Sequence, residues 1–238
     1  MKMYYMAHSG FAVETENRVL IFDYVEGELP NIPVQKPWYV FVSHVHGDHF
    51  SKRVFQLKQD GERILFLLSS DIPKEETDKT LRNHMIFMKP WEKIMVDEMW
   101  IETLKSTDEG VAFLITLADG QTIYHAGDLN DWFWEEETNE WNEKMEKSYD
   151  MILEKIKGRH IHLAFVPVDP RLEKHACDGA ERLLEKAKVD RIIPMHCWEK
   201  YGIIDVLEDR IRKKGWGGDV VKITGRGQKF CFKELHKD

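Results

Sequence analysis

The chain has 238 residues, 42% hydrophobic and 32% charged, and a formal net charge of −8 with histidine neutral. That length suits one large α/β domain or two small ones, and it buries a core without disulfide staples. The acidic balance argues against a broad nucleic-acid-binding face, which needs Lys and Arg to neutralise phosphates, while leaving room for a local basic pocket.

The first half reads as strands. Short segments rich in Val, Ile and Phe, broken by turn residues, are expected at Met3–His8, Phe11–Thr15, Val19–Phe22, Trp38–Ser43 and Ile64–Leu68. Five more follow at Met85–Met88, Lys93–Val96, Met99–Leu104, Val111–Leu117 and Thr122–His125. Ala118-Asp119-Gly120-Gln121 reads as a hairpin turn, because Asp-Gly supplies positive φ. A helix is expected over Trp134–Lys157, with Glu135-Glu136-Glu137 early in it as a solvated acidic turn. The second half then alternates: strand Ile161–Val166, helix Ala176–Lys188, strand Arg191–Met195, helix Ile204–Lys213, and closing strands Val220–Thr224 and Lys229–Phe232. No linker or repeat interrupts the chain, so a single domain over 1–238 is expected. Cys177, Cys197 and Cys231 form no CxxC pair and read as reduced thiols. Met1–Ser9 has no long apolar core, and no apolar run reaches the roughly 20 residues of a membrane span. A cytoplasmic protein with no membrane association is the expectation.

Residues 39–50 carry the chemistry. An apolar strand runs into His44-Val45-His46-Gly47-Asp48-His49. Imidazole nitrogens and carboxylate oxygens are ligands for Zn²⁺ and similar ions. Alternate residues of an extended segment point the same way, so His44 and His46 can grip one ion. Gly47 is expected to let the loop turn sharply, facing Asp48 and His49 toward a second. A histidine-rich loop without ligand role is the competing reading, and four ligand-type side chains at one strand end argue against it.

The segment matches the HxHxDH signature of the metallo-β-lactamase superfamily. Tyr124-His125-Ala126-Gly127-Asp128 resembles the later strand whose Asp bridges two metals, and Pro194-Met195-His196 the late strand ending in the last histidine ligand. The likeness is nearest to the group of ascorbate-6-phosphate lactonase and related Zn-dependent hydrolases. It implies an α/β, four-layer αββα sandwich and a metal site of His44, His46, Asp48, His49, Asp128 and His196. It further implies one or two divalent ions, Zn²⁺ or else Mn²⁺ or Fe²⁺, with Asp48 handling the attacking water and its proton. Asp23 resembles a supporting carboxylate, with a turn cap as the alternative. His8 resembles an early histidine turn of the subgroup, with a purely structural histidine as the alternative.

The chain departs from the pattern once. The superfamily has a further histidine after the strand matching Met99–Leu104, but here Lys105-Ser106-Thr107-Asp108-Glu109-Gly110 follows. The Asp48/His49/Asp128/His196 side is therefore the fuller one. Asp108, or more poorly the Ser106 hydroxyl, can substitute as a ligand, or the segment is a plain polar turn. The reaction class implied is hydrolysis of a small-molecule ester, lactone, amide or phosphoester. A nuclease or phosphodiesterase on the same fold and a non-catalytic metal-binding protein are the competing readings. Oligomeric state is left open. Among weaker sites, His125 and Cys197 read as buried core groups. Trp132 and Trp134 read as helix anchors or a substrate wall, and Arg171 as an anion grip or a surface ion pair.

Overall fold

In a computed structural model, residues 1–29, 31, 35–57 and 64–232 are described. They divide into two compact units, one from Met1–Met88 together with the chain from Thr224 onward, the other from Lys89–Ile223. Each is built on its own seven-stranded sheet.

The first unit contains β1 (Lys2–Ala7), β2 (Gly10–Glu14), β3 (Val19–Phe22), β4 (Trp38–Val42), β5 (Ile64–Ser69) and β6 (Met85–Met88), with β14 (Lys229–Cys231) on the outer side of β1. β1, β2 and β3 are antiparallel, whereas β3 to β6 run parallel. The unbroken apolar run of β4 explains its place: every residue is buried, and strands buried on both faces lose the polar alternation. Phe22 stacks on Phe41 at 5.0 Å on one face. On the other, Val40 and Val42 join a core with Ile21, Phe66 and Leu68. Phe50, and Val54 and Phe55 from the 3-10 turn Lys52–Gln56 that the periodicity did not reveal, dock onto that core. Burying side chains of this size contributes roughly 1.5–3 kcal/mol each, which ties the segment after the histidine motif to the sheet.

The second unit opens with the antiparallel strands β7 (Lys93–Val96), β8 (Met99–Lys105), β9 (Val111–Thr116) and β10 (Thr122–His125). β11 (His160–Pro167), β12 (Lys188–Met195) and β13 (Asp219–Val220) continue the sheet in parallel. The helices are α1 (Asn139–Leu153), α2 (Asp178–Lys186) and α3 (Ile203–Lys214). The Asp-Gly turn forms as expected, with Gly120 at φ 87° and Leu117 N–H donating to Gln121 O at 2.8 Å.

All ten strands expected before residue 126 form, each end within one residue of its expected place. The helix expected over Trp134–Lys157 is shorter. Thr138 caps it through Trp141 N–H (3.2 Å), while the Asn142 side chain holds both Trp134 N–H and Trp134 O. The competing side-chain bonds keep residues 134–137 out of the helix, so Glu135-Glu136-Glu137 precede it. Lys188 belongs to β12, not to the helix expected over Ala176–Lys188, because its N–H is taken by Arg159 O. The strand expected over Val220–Thr224 shrinks to β13.

Gly179, in the first turn of α2, is packed against the loop after β10. A Cβ there would lie 1.9 Å from Asn130 Oδ1 and 3.2 Å from Asp131 N. Asn130 is buried and its N–H is held by Thr107. We therefore expect Gly179→Ala to destabilise the protein by roughly 1–3 kcal/mol through overpacking. Urea unfolding against Gly202→Ala, where a Cβ meets nothing within 4 Å, checks this; equal midpoints refute it.

Candidate metal centre

In the first unit the ligand-type side chains hang from three loops. His8 sits in the tight turn joining β1 to β2, at φ 47°. Asp23 follows β3 at φ 41°. The motif itself follows β4, and it is a turn rather than an extension of the strand: His49 N–H and Phe50 N–H both donate to His46 O, at 3.0 and 2.8 Å. That turn starts at His46, and His44 and His46 present ligand-type atoms within 4.8 Å of each other, as expected. Gly47 has no left-handed φ, and a Cβ there meets nothing within 4 Å, so the sharp-turn role expected of it is not required. The left-handed conformations fall on His8 and Asp23 instead, the kind of strain that clusters at functional sites.

The hydrogen bonds behind the imidazoles set their tautomers. Asp23 Oδ1 accepts from Ser43 N–H (2.8 Å), and Oδ2 accepts from Ser43 Oγ–H (2.7 Å) and His49 Nδ1–H (2.8 Å). A carboxylate only accepts, so the serine proton is committed to it. Ser43 Oγ must then accept from His44 Nδ1–H at 2.9 Å. Both rings therefore keep the lone pair on Nε2, the form that binds a metal. His44, His49 and Asp23 are buried, and the His44 ring lies 4.1 Å from that of His49 and 4.8 Å from that of His46. One ligand atom each from His8, Asp48 and His49 lie within 4.8 Å of one another. His8 Nε2, 3.4 Å from Asp48 Oδ2, holds that carboxyl well below the usual range.

In the second unit the parallel register does the positioning. Pairs such as His125↔Phe165 and Pro167↔Met195 bring the carboxyl ends of β10, β11 and β12 side by side, where open α/β sheets place their ligands. Asp128, Asp169 and His196 follow those ends. His196 Nε2 stands 3.4 Å from Asp128 Oδ1, and His196 Nδ1–H donates to Asp169 Oδ2 at 2.8 Å. Burial alone would raise the Asp169 carboxyl, but bonds from His196 and Arg171 hold it well below the usual range. Arg171 grips Asp169 through Nε and NH2 (3.0 and 2.6 Å) and lies over Trp198 at 4.6 Å. Its charge is committed to that buried carboxylate, which makes it neither the expected anion grip nor a simple surface pair.

Asp108 and Asp128 each present an oxygen within 4.8 Å of the other. Thr107 Oγ1 donates to Asn130 O (2.6 Å) and fastens the Ser106–Asp108 loop to the Asp128 loop, while Ser106 Oγ accepts from Asp108 N–H (3.1 Å). Trp132 donates Nε1–H to Asp128 O and packs edge-on against His196 at 5.6 Å. Residues 131–134 lie outside any helix; Trp132 and Trp134 line a cavity with Trp141 and Met145 of α1, and the Trp134 backbone is bonded to Asn142 of that helix.

His125 is buried against Phe165 as expected, accepting Gly127 N–H on Nδ1. Cys197 is a buried thiol pushed up to about 12 by its burial, too high for a nucleophile. It is not a strand neighbour of His196, since β12 stops at Met195 and His196 turns to φ 64°. Sequence reasoning did not single out Asp169; its signal, Asp-Pro after an apolar strand, is too common. A third cluster, His160, His162 and Asp190, fits a metal poorly. Thr122 N–H donates to His162 Nδ1 at 2.9 Å, which leaves the proton on its other nitrogen.

The donor set of imidazole Nε2 atoms and carboxylates therefore suits a divalent ion. A model of the beta-lactamase superfamily domain matches residues 2–144. A metal-dependent hydrolase of Nanoarchaeum equitans is 26% identical over 203 residues, covering 82% of this chain and 83% of its own. One from Archaeoglobus fulgidus is 24% identical over 253 residues, covering 98% and 99%. Among solved structures, Igni18, a metallo hydrolase from Ignicoccus hospitalis, has a TM-score of 0.64 at 18% identity, covering 98% of this chain and 99% of that one. That likeness carries the fold, and the α/β class expected from the motifs holds. The chain belongs to the metallo-β-lactamase superfamily and stands among its metal-dependent hydrolases.

Proposed function

We propose that this enzyme cleaves an ester, lactone or phosphoester bond of a small molecule. The proposed centre draws one or two divalent ions, Zn²⁺ foremost, from His44, His46, Asp48, His49, Asp128 and His196, with the chain acting as one domain over 1–238. The observation that carries this reading is the set of buried acceptors behind the rings: Asp23 and Ser43 for His49 and His44, and Asp169 for His196. Plain core histidines have no need of three matched tautomers. A divalent ion held there would supply Lewis acidity, bringing the pKa of water down to about 7 and polarising a carbonyl or phosphoryl oxygen. Asp48, braced by His8, orients the attacking water as an ionised acceptor. Asp108, beside Asp128, takes the place of the absent histidine. A cytoplasmic location is supported by three unpaired thiols. Among the described residues no helix is long and apolar enough to cross a membrane.

Metal analysis of purified protein, followed by chelation and add-back on a panel of lactones, esters and phosphodiesters, tests the reading. We expect bound transition metal, activity lost on chelation and recovered with Zn²⁺, and a weakened ion in Asp108→Ala. Activity indifferent to chelation, or a protein that takes up no transition metal, refutes it. Unchanged stoichiometry and affinity in Asp108→Ala removes that residue from the set.

A further inference from the structure

Two adjoining cavities of the second unit carry information about what is bound. The smaller, about 210 Å³, is lined by Asp128, Trp132, Trp134, Trp141 and Met145 among others. The larger, about 570 Å³, is lined by Trp91, Lys105, Ser148, Ile152 and Lys155 among others. Thr107 and Asp108 border both, so the two meet at those residues.

Their chemistry differs. In the smaller cavity the indoles of Trp132 and Trp134 stack with planes 6° apart and centroids at 6.3 Å, Arg171 lies over the Trp134 ring at 5.6 Å, and with Trp141 and Met145 they give an apolar lining beside Asp128. Arg171 also borders this cavity, but its charge is matched by Asp169 at 2.6 Å. In the larger cavity, among the described residues, neither Lys105 nor Lys155 has a carboxylate within ion-pair distance. Other cations nearby are matched: Arg159 and Lys93 both pair with Glu102. Both lysines are exposed and border the same cavity. They make the larger cavity attractive to an anion.

We propose that the ligand of these cavities is an amphiphilic oxyanion. Its apolar body lies in the smaller cavity among Trp132, Trp134, Trp141 and Met145, and its carboxylate or phosphate group reaches past Thr107 and Asp108 to Lys105 and Lys155. Only in calling this ligand the substrate does the inference rest on the hydrolase reading; the binding uses second-unit side chains and no metal. An uncharged lactone or ester lacking the anionic arm binds more weakly, because the ammonium groups then stay in water.

Calorimetric titration of the full chain, metal-loaded and chelator-treated, with three inert probes tests this. The probes are 4-(1-naphthyl)butanoate, 3-(1-naphthyl)propylphosphonate and the neutral 4-(1-naphthyl)butanamide. We expect at least one anionic probe to bind about tenfold tighter than the amide, with or without metal, a preference of the size expected for charge-assisted bonds. Lys105→Ala/Lys155→Ala, two exposed substitutions, should erase that preference and leave amide binding as it was. Whichever anion binds tighter separates the carboxylate from the phosphate class. Equal affinity for acid and amide, or a preference that survives the double substitution, overturns the proposal. A chain that shows the preference but hydrolyses nothing leaves the binding intact and fails the hydrolase reading alone.

Discussion

His196→Ala is expected to lower kcat/KM by roughly three orders of magnitude or more, about 4 kcal/mol of transition-state stabilisation, with metal uptake falling alongside. The ring stands 3.4 Å from Asp128 and is held from behind by Asp169. It is also flanked edge-on by Trp132 and Trp198, each at 5.6 Å. Among the described residues of the second unit, no other imidazole joins that cluster. The fold should persist, because Asp169 keeps its bonds from Arg171 and Trp198 and is not left as an unmatched buried charge. Asp48→Asn is the companion variant. It preserves shape at a half-exposed position and removes the charge that orients water, so most activity is lost with smaller loss of metal. Metal content, circular dichroism and steady-state kinetics on both variants check this. Turnover equal to wild type in both would falsify the proposed site.

Asp23→Asn is expected to weaken metal binding about 10- to 100-fold, the usual scale for a carboxylate supporting a ligand histidine. It should also cost the metal-free protein roughly 1.5–3 kcal/mol. An amide cannot reproduce the three acceptances made by Asp23. With its oxygen toward Ser43 N–H, its NH₂ faces Ser43 Oγ and His49 Nδ1. His49 is then driven to carry its proton on Nε2, the atom proposed to bind metal. With the amide turned over, NH₂ confronts Ser43 N–H, and a buried donor loses its partner. Metal titration monitors the first effect and urea unfolding of chelated protein the second. Wild-type affinity and stability together would leave Asp23 as a simple turn residue.

The contrast between Asp23 and Asp169 shows where reading a sequence succeeds. Asp23 was found because a family pattern places a carboxylate after that strand. Asp169 plays the equivalent part for His196, yet nothing local distinguishes it from a helix-turn cap, a role it also fills through Arg171 N–H. His8 was left even between site and scaffold. Its position in a turn that makes it adopt φ 47° and face Asp48 is a product of how β1 and β2 pair. The misjudged helix start at Trp134 has the same origin: Asn142, eight residues on, captures the Trp134 backbone, and hydrophobic spacing does not register such a bond.

The sequence by itself determined the strands, through short apolar runs whose burial leaves few alternatives, and the chemistry of the contiguous motif His44 to His49, whose ligand types are adjacent in the chain. The tertiary structure alone decided which nitrogen of each ring faces outward, that Arg171 serves Asp169 and not a ligand, and that Trp132 flanks His196. Those outcomes depend on bringing the carboxyl ends of parallel strands level, and strand register is set by the packing of whole sheet faces, not by residues near in sequence.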